Sequence, residues 1–143
     1  MRALTICQPY ASLIVNPPHV KRVENRTWPT AYRGPLLIHA GKSRRWLEDF
    51  DDALPMPMPF SAVVGIARLA ACVRIEDVPH LGPDVCWLSD HVHAEGPWCW
   101  VLTEAYRLLE PVPCPGALGL WAPSAEVAQA VEAQLANQRT ESV

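Results

Sequence analysis

The sequence predicts an α+β fold weighted towards β, a small curled sheet with short flanking helices. Three observations predict it. Fifteen prolines and seven glycines in 143 residues cut the chain into pieces too short for long helices. The apolar residues gather in runs of strand length, at Ala3 to Ile6, Pro35 to Ala40, Ser61 to Ile75 and Trp98 to Thr103. The longest run contains Gly65, a residue that marks a bend or bulge where a sheet curls on itself, as small barrels do when they close.

Ala3 to Ile6 reads as a buried strand. It ends at Gln8-Pro9, where Pro9 suits the first turn of a helix, and Tyr10, Leu13 and Ile14 then fall at helical spacing. That helix ends by Val15, because Asn16-Pro17-Pro18 cannot continue it. Its free N–H groups and positive dipole end offer an anion a seat near Gln8 and Tyr10.

Arg22 to Trp28 alternates, so Val23, Asn25 and Thr27 take one strand face and Arg22, Glu24, Arg26 and Trp28 the other. Pro29 and Tyr32-Arg33-Gly34 stop this strand, and Pro35 to Ala40 is apolar enough to be buried on both faces. His39 interrupts that run and reads first as a hydrogen-bonded core residue. Gly41 and Ser43 predict a turn and N-cap for a helix over 44–54, with Trp46, Leu47 and Phe50 as its apolar stripe. PMPMPF is a linker without regular structure.

Ser61 to Ile75 is the longest strand candidate, and 77–96 reads as an irregular excursion with one short helix. Trp98 to Thr103 and Tyr106 to Leu109 predict two separate strands, and Leu118 to Trp121 a further short one. Pro123-Ser124 opens a helix whose Val127, Ala130, Val131 and Leu135 share a face, before a polar tail from Asn137.

A chain of this length fits one domain with a real core. Its apolar runs break well short of the roughly 20 residues of a membrane span, and MRALTICQPY lacks the pattern of a signal peptide, so we expect a cytoplasmic protein with no membrane partner. Five widely spaced cysteines suggest neither a disulfide framework nor a metal site, and Cys86 with His91 and His93 lacks the second close pair of a zinc centre. No P-loop, G-x-G-x-x-G, G-x-S-x-G or H-E-x-x-H occurs, and no cofactor is expected.

Charge is unevenly placed. Between Lys21 and Arg45 stand seven basic residues (Lys21, Arg22, Arg26, Arg33, Lys42, Arg44, Arg45) against one acid, Glu24, whereas 46–143 holds four basic and fourteen acidic residues. The net charge of −3 therefore hides a basic segment on an acidic body. That pattern suits a protein that receives an anion at one place.

CQPYASLIV, then VKRVENRTW, then YRGPLLIHAGK, resembles in order and spacing the N-terminal half of an ASCH domain, the activating-signal-cointegrator homology family. GPWCWVLTEAYRLLEPVPCPGALGLW resembles the family's closing strands, so the likeness covers roughly residues 3 to 122. It divides the chain into an ASCH domain over 1–122 and a helix with polar tail over 123–143. Pro17, Pro18 and His19 stand where many relatives place a glycine turn.

The resemblance implies a PUA-like β-barrel with flanking short helices and a cleft between barrel and first helix. Gln8, Tyr10, Ser12, Lys21, Glu24, Arg26 and His39 match the positions that line this cleft, with Lys42 close by. RNA or a modified nucleoside is the implied ligand, with single-stranded DNA as another. Lys21 and Arg26 are suited to phosphate or a polarised carbonyl, Tyr10 and Trp28 to stacking, and Glu24 to an exocyclic amine. Against this, Glu24 and Arg26 are also placed simply to pair, and Trp28 reads first as core.

An enzyme using the same cleft is the rival reading, either an amidohydrolase on an N4-acylated cytidine or a weak ribonuclease, with Lys21 as activator or base and Glu24 as its proton partner. The small bacterial relatives that deacetylate N4-acetylcytidine carry a threonine where this chain has Glu24. A protein-interaction adaptor using the acidic body and Pro-rich loop is the third reading.

Overall fold

The computed structural model describes residues 1–141, with side chains through residue 138. Its centre is one six-stranded curled sheet, a half-barrel, built from β1 (Arg2–Ile6), β2 (Val23–Arg26), β3 (Gly34–Ala40), β4 (Ala62–Arg74), β5 (Trp98–Pro113) and β6 (Leu120–Trp121). The spatial order is β2-β5-β4-β3-β1-β6. Only β1 and β3 run parallel, because α1 (Tyr10–Val15) and β2 intervene between them in sequence.

Apolar side chains make three clusters. Within the curl, Leu4, Ile6, Leu36, Ile38, Leu69, Trp100 and Leu102 pack with Ala11, Ile14 and Val15 of α1. Trp28 joins this core, meeting Trp100 edge-on at 4.8 Å and accepting its indole N–H on the Trp28 carbonyl at 3.2 Å. On the other sheet face Ala3, Leu37, Val63 and Leu108 are covered by Val127, Val131 and Leu135 of α2 (Ala125–Glu141). Ser124 caps α2 by accepting the Val127 N–H, and Ala130 stays exposed. The helix runs on through Asn137, where a polar tail was expected, and the last two residues of that tail lie outside the described residues. A third cluster joins Val23, Cys99 and Val101 to Val78 and Leu88 of the excursion, which consists of two 3₁₀ helices, Ile75–His80 and Cys86–Asp90.

Two further expectations are corrected. Residues 44–54 make isolated turns, not a helix. Ser43 Oγ accepts the Arg45 N–H at 3.2 Å, but Arg44 then lies over the Phe60 ring at 4.1 Å and Phe50 turns in against Tyr10 while Trp46 remains exposed. Tertiary contacts of single side chains have replaced the apolar stripe. The two strands expected at 98–109 are one strand, β5, irregular at Glu104, whose φ of 50° lies in the left-handed region. The β4–β5 register shifts there, with Ile66 opposite Tyr106 and Arg68 opposite Thr103.

Gly65 lies at another register shift, as its place in the sequence predicts. A methyl group there would meet the Tyr106 carbonyl and stand 2.5 Å from Val15 Cγ1. Absence of a side chain is what lets α1 lie on β4.

Candidate nucleic-acid interface

β2 presents Glu24 and Arg26 on the face that carries Trp28, while Val23 and Asn25 face the excursion. Lys21 precedes β2, so the strand alternation does not bind it. Its Nζ reaches Glu24 Oε1 at 3.6 Å and lies 5.4 Å from the centre of the Tyr10 ring. Arg26 Nη2 donates to Glu24 Oε2 at 3.2 Å and to the Thr5 carbonyl at 2.9 Å. This guanidinium therefore links β2 to β1, elements that share no ladder, across the open seam of the half-barrel.

Lys21 is 4% exposed. Burial lowers its pKa, and Glu24 only partly restores it. Among the described residues its ammonium meets Glu24, at a distance beyond the usual hydrogen-bonding range of about 2.7–3.2 Å, and the face of Tyr10. Three donors are thus weakly satisfied. Arg26 Nε is also buried without a partner.

The excursion closes over this trio. Asn25 Nδ2 donates to the His93 carbonyl at 2.8 Å, and Asn25 Oδ1 accepts the N–H groups of Glu95 and Gly96 at 2.9 and 2.8 Å. One strand side chain thereby ties three backbone groups of the excursion. His93 then packs edge-on to Tyr10 at 6.4 Å, and His91 Nε2 accepts the Arg22 backbone N–H at 3.3 Å. Desolvation, followed by neighbouring Arg22 and Lys21 for His91 and chiefly Lys21 for His93, lowers both histidine pKa values. Beside Lys21 opens a cleft of about 330 Å³, lined by Pro18, His19, Arg22, Glu104 and Tyr106.

Of the seven residues matched in sequence and the neighbouring Lys42, Tyr10, Lys21, Glu24 and Arg26 come together. Gln8 is fully buried, with its amide bonded to Ser12 Oγ, the Ser12 N–H and the Pro59 carbonyl, so Gln8 and Ser12 anchor the start of α1 to the Pro-rich linker. His39 lies on the opposite sheet face from Ile38, between Thr5 Oγ1 at 3.2 Å and the Cys114 carbonyl at 2.8 Å, against Trp121. Lys42 is exposed on the turn after β3. Phe50, His91 and His93 were not foreseen. Phe50 read as part of a helical stripe, and His91 and His93 as an H-x-H pair beside Cys86, so neither signal pointed to this site. Among the described residues no group of three His, Cys, Asp or Glu is placed to hold a metal ion.

The description ASCH domain fits residues 4–111, matched by the model of that family. This chain belongs to the ASCH domain family. It is 26% identical to human activating signal cointegrator 1 over 148 aligned positions, covering 94% of this chain and 24% of that protein. To the mouse protein of the same name it is 32% identical over 100, covering 61% and 17%. The chain thus spans about a quarter or less of the curated relatives it matches. The crystal structure of ASCH from Zymomonas mobilis superposes with a TM-score of 0.56 at 16% identity, covering 92% of this chain and 93% of that one. Its S128A mutant superposes with a TM-score of 0.57 at 17% identity, covering 92% and 94%. These likenesses establish the ASCH fold, a PUA-like half-barrel, and the family is generally nucleic-acid-associated.

Proposed function

We propose that this ASCH domain binds single-stranded RNA, with backbone phosphates on the exposed Arg22, Lys42, Arg44 and Arg45 and one nucleotide directed at Lys21, Glu24 and Arg26. The observation that carries this reading is Lys21, a buried ammonium whose donors the protein leaves weakly satisfied. Such a group gains most from an acceptor brought by a ligand, a base carbonyl or a phosphate oxygen. Glu24 is placed beside it to accept from an amine, and the Tyr10 ring borders the same ammonium. The test is titration of labelled single-stranded RNA against the parent and Lys21→Ala. Binding weakened by about 1.5 to 3 kcal/mol, with the fold retained, is the expected result. A Lys21→Ala protein that binds as the parent does would refute the assignment.

The lowered pKa of Lys21 favours a second reading, hydrolysis at the same place. A neutral Lys21 amine would take a proton from water attacking the amide carbonyl of an N4-acylated cytidine. Glu24 would relay that proton from Lys21 to the departing N4 amine as the C–N bond breaks, giving a carboxylic acid and cytidine. Loss of the acyl group followed by mass spectrometry, abolished in Lys21→Ala while ligand still binds, would favour this reading. Strand scission of RNA under the same conditions would favour a ribonuclease.

A further inference from the structure

A second cavity, of about 380 Å³, adjoins the Lys21 cleft across Pro18, which lines both. Its walls come from the end of α1 and the turn after it, from the Pro-rich connection between β3 and β4, and from the excursion. Phe50 and His93 stand in it, the same two rings that meet Tyr10 edge-on. Most of the lining is apolar. Its polar side chains are few, and their state is specific.

Asn16 is 6% exposed and is the most buried polar residue of the wall. Its Nδ2 donates to the carbonyls of Pro55 and Pro57, at 3.3 and 2.9 Å, which fixes the orientation of the amide. Its backbone N–H goes to the Ser12 carbonyl and its own carbonyl takes the His19 N–H, both at 2.8 Å. Asn16 Oδ1 takes no hydrogen bond among the described residues, yet it is not one of the fully buried atoms left without a partner, so this acceptor is open to solvent on a residue of the cavity wall. Asp52, at the rim, makes no hydrogen bond or ion pair among the described residues beyond its electrostatic pull on His93. Two acceptors and a histidine ring are what the side chains offer. A ligand must therefore supply donors, and it must be flat enough to lie among Phe50, His93 and the prolines.

We propose that this cavity receives an unpaired nucleobase bearing an exocyclic amino group, which donates to Asn16 Oδ1 and the Asp52 carboxylate. This rests on the RNA-binding reading and extends it: a nucleotide at Lys21 places its neighbour across Pro18. Cytosine and adenine carry such an amine, and uracil has none. The two rings give the stacking surface that single-stranded recognition uses.

Fluorescence anisotropy with short labelled oligomers of C, A and U tests this on the parent, Asp52→Asn and Ala53→Trp. Both substituted positions are exposed, so neither change disturbs the core. The expected result is C and A oligomers bound roughly tenfold tighter than U, a gap of about 1.4 kcal/mol. Asp52→Asn narrows the gap, and Ala53→Trp, which fills the cavity, removes it. In parallel, free cytidine shifts the NMR signals of Phe50 and His93, and free uridine does not. Three oligomers bound equally, with binding still weakened by Lys21→Ala, overturn the cavity assignment and leave the RNA reading standing. A preference that survives both substitutions also overturns it. Failure of every oligomer and nucleoside to bind overturns both readings.

Discussion

Lys21 ties the candidate site to pH in two opposite ways. Burial depresses its folded-state pKa below the ordinary lysine value of about 10.4, so the unfolded chain binds more protons between those two values. Stability contributed by this residue therefore rises with pH across that window, while ligand binding that needs the ammonium falls. RNA affinity should decline with a midpoint below that of an ordinary lysine, and a titration of binding against pH reads it. Lys21→Met should keep or raise the melting temperature, since an apolar chain of similar length removes a desolvated charge while Glu24 keeps Arg26. A drop in melting temperature of the size seen for core truncations would mean that Lys21 is structural.

At the scale of elements, the excursion over 75–96 is held by Asn25 and by two histidines. His91 accepts a backbone N–H on Nε2, which it can do only while that nitrogen is unprotonated. Both histidine pKa values lie below their ordinary value of about 6.5, so the excursion's share of stability is complete above that value and is lost as pH falls through the lowered folded-state values. Amide exchange measured across this range should show residues 86–96 losing protection before β3 or β4 does. Equal protection at all pH values would remove the histidines from this role. The packing of α1 on β4 is tested by Gly65→Ala, whose methyl has no room against Val15 and Tyr106. We expect a loss of about 1 to 3 kcal/mol in denaturant unfolding, the range for an overfilled site.

For the whole molecule, a basic segment on an acidic body predicts that the proposed association with RNA depends on salt. Three to four neutralised phosphates, the number that Arg22, Lys42, Arg44 and Arg45 suit, give a slope of log K on log salt of roughly −2 to −3 for a single strand. Affinity indifferent to salt would exclude phosphate contact. Arg26 has a different part, because its guanidinium spans the seam between β2 and β1. Among the described residues no helix is long and apolar enough to cross a membrane.

The sequence by itself determined the periodic parts of this protein. Apolar runs at Ala3 to Ile6, Pro35 to Ala40 and Ser61 to Ile75 form strands over nearly their whole length because burial on a pleated sheet needs only residue type and period. The helix after Ser124 forms because its cap and stripe are local. Lys21, Glu24 and Arg26 were legible together since two of them alternate on one strand and the third stands just before it. Only the tertiary structure decided the rest. Residues 44–54 carry a helical stripe, yet Arg44 and Phe50 find better partners in Phe60 and Tyr10. Gln8 and His39 match the family's pattern, but their polar atoms are taken by groups distant in sequence, Pro59 and Cys114. His93 and Asn16 enter the site region through contacts spanning 68 and 41 positions, which no local pattern encodes. Hydrogen bonds between distant segments depend on where the whole chain places them, and that placement is a property of the packed core.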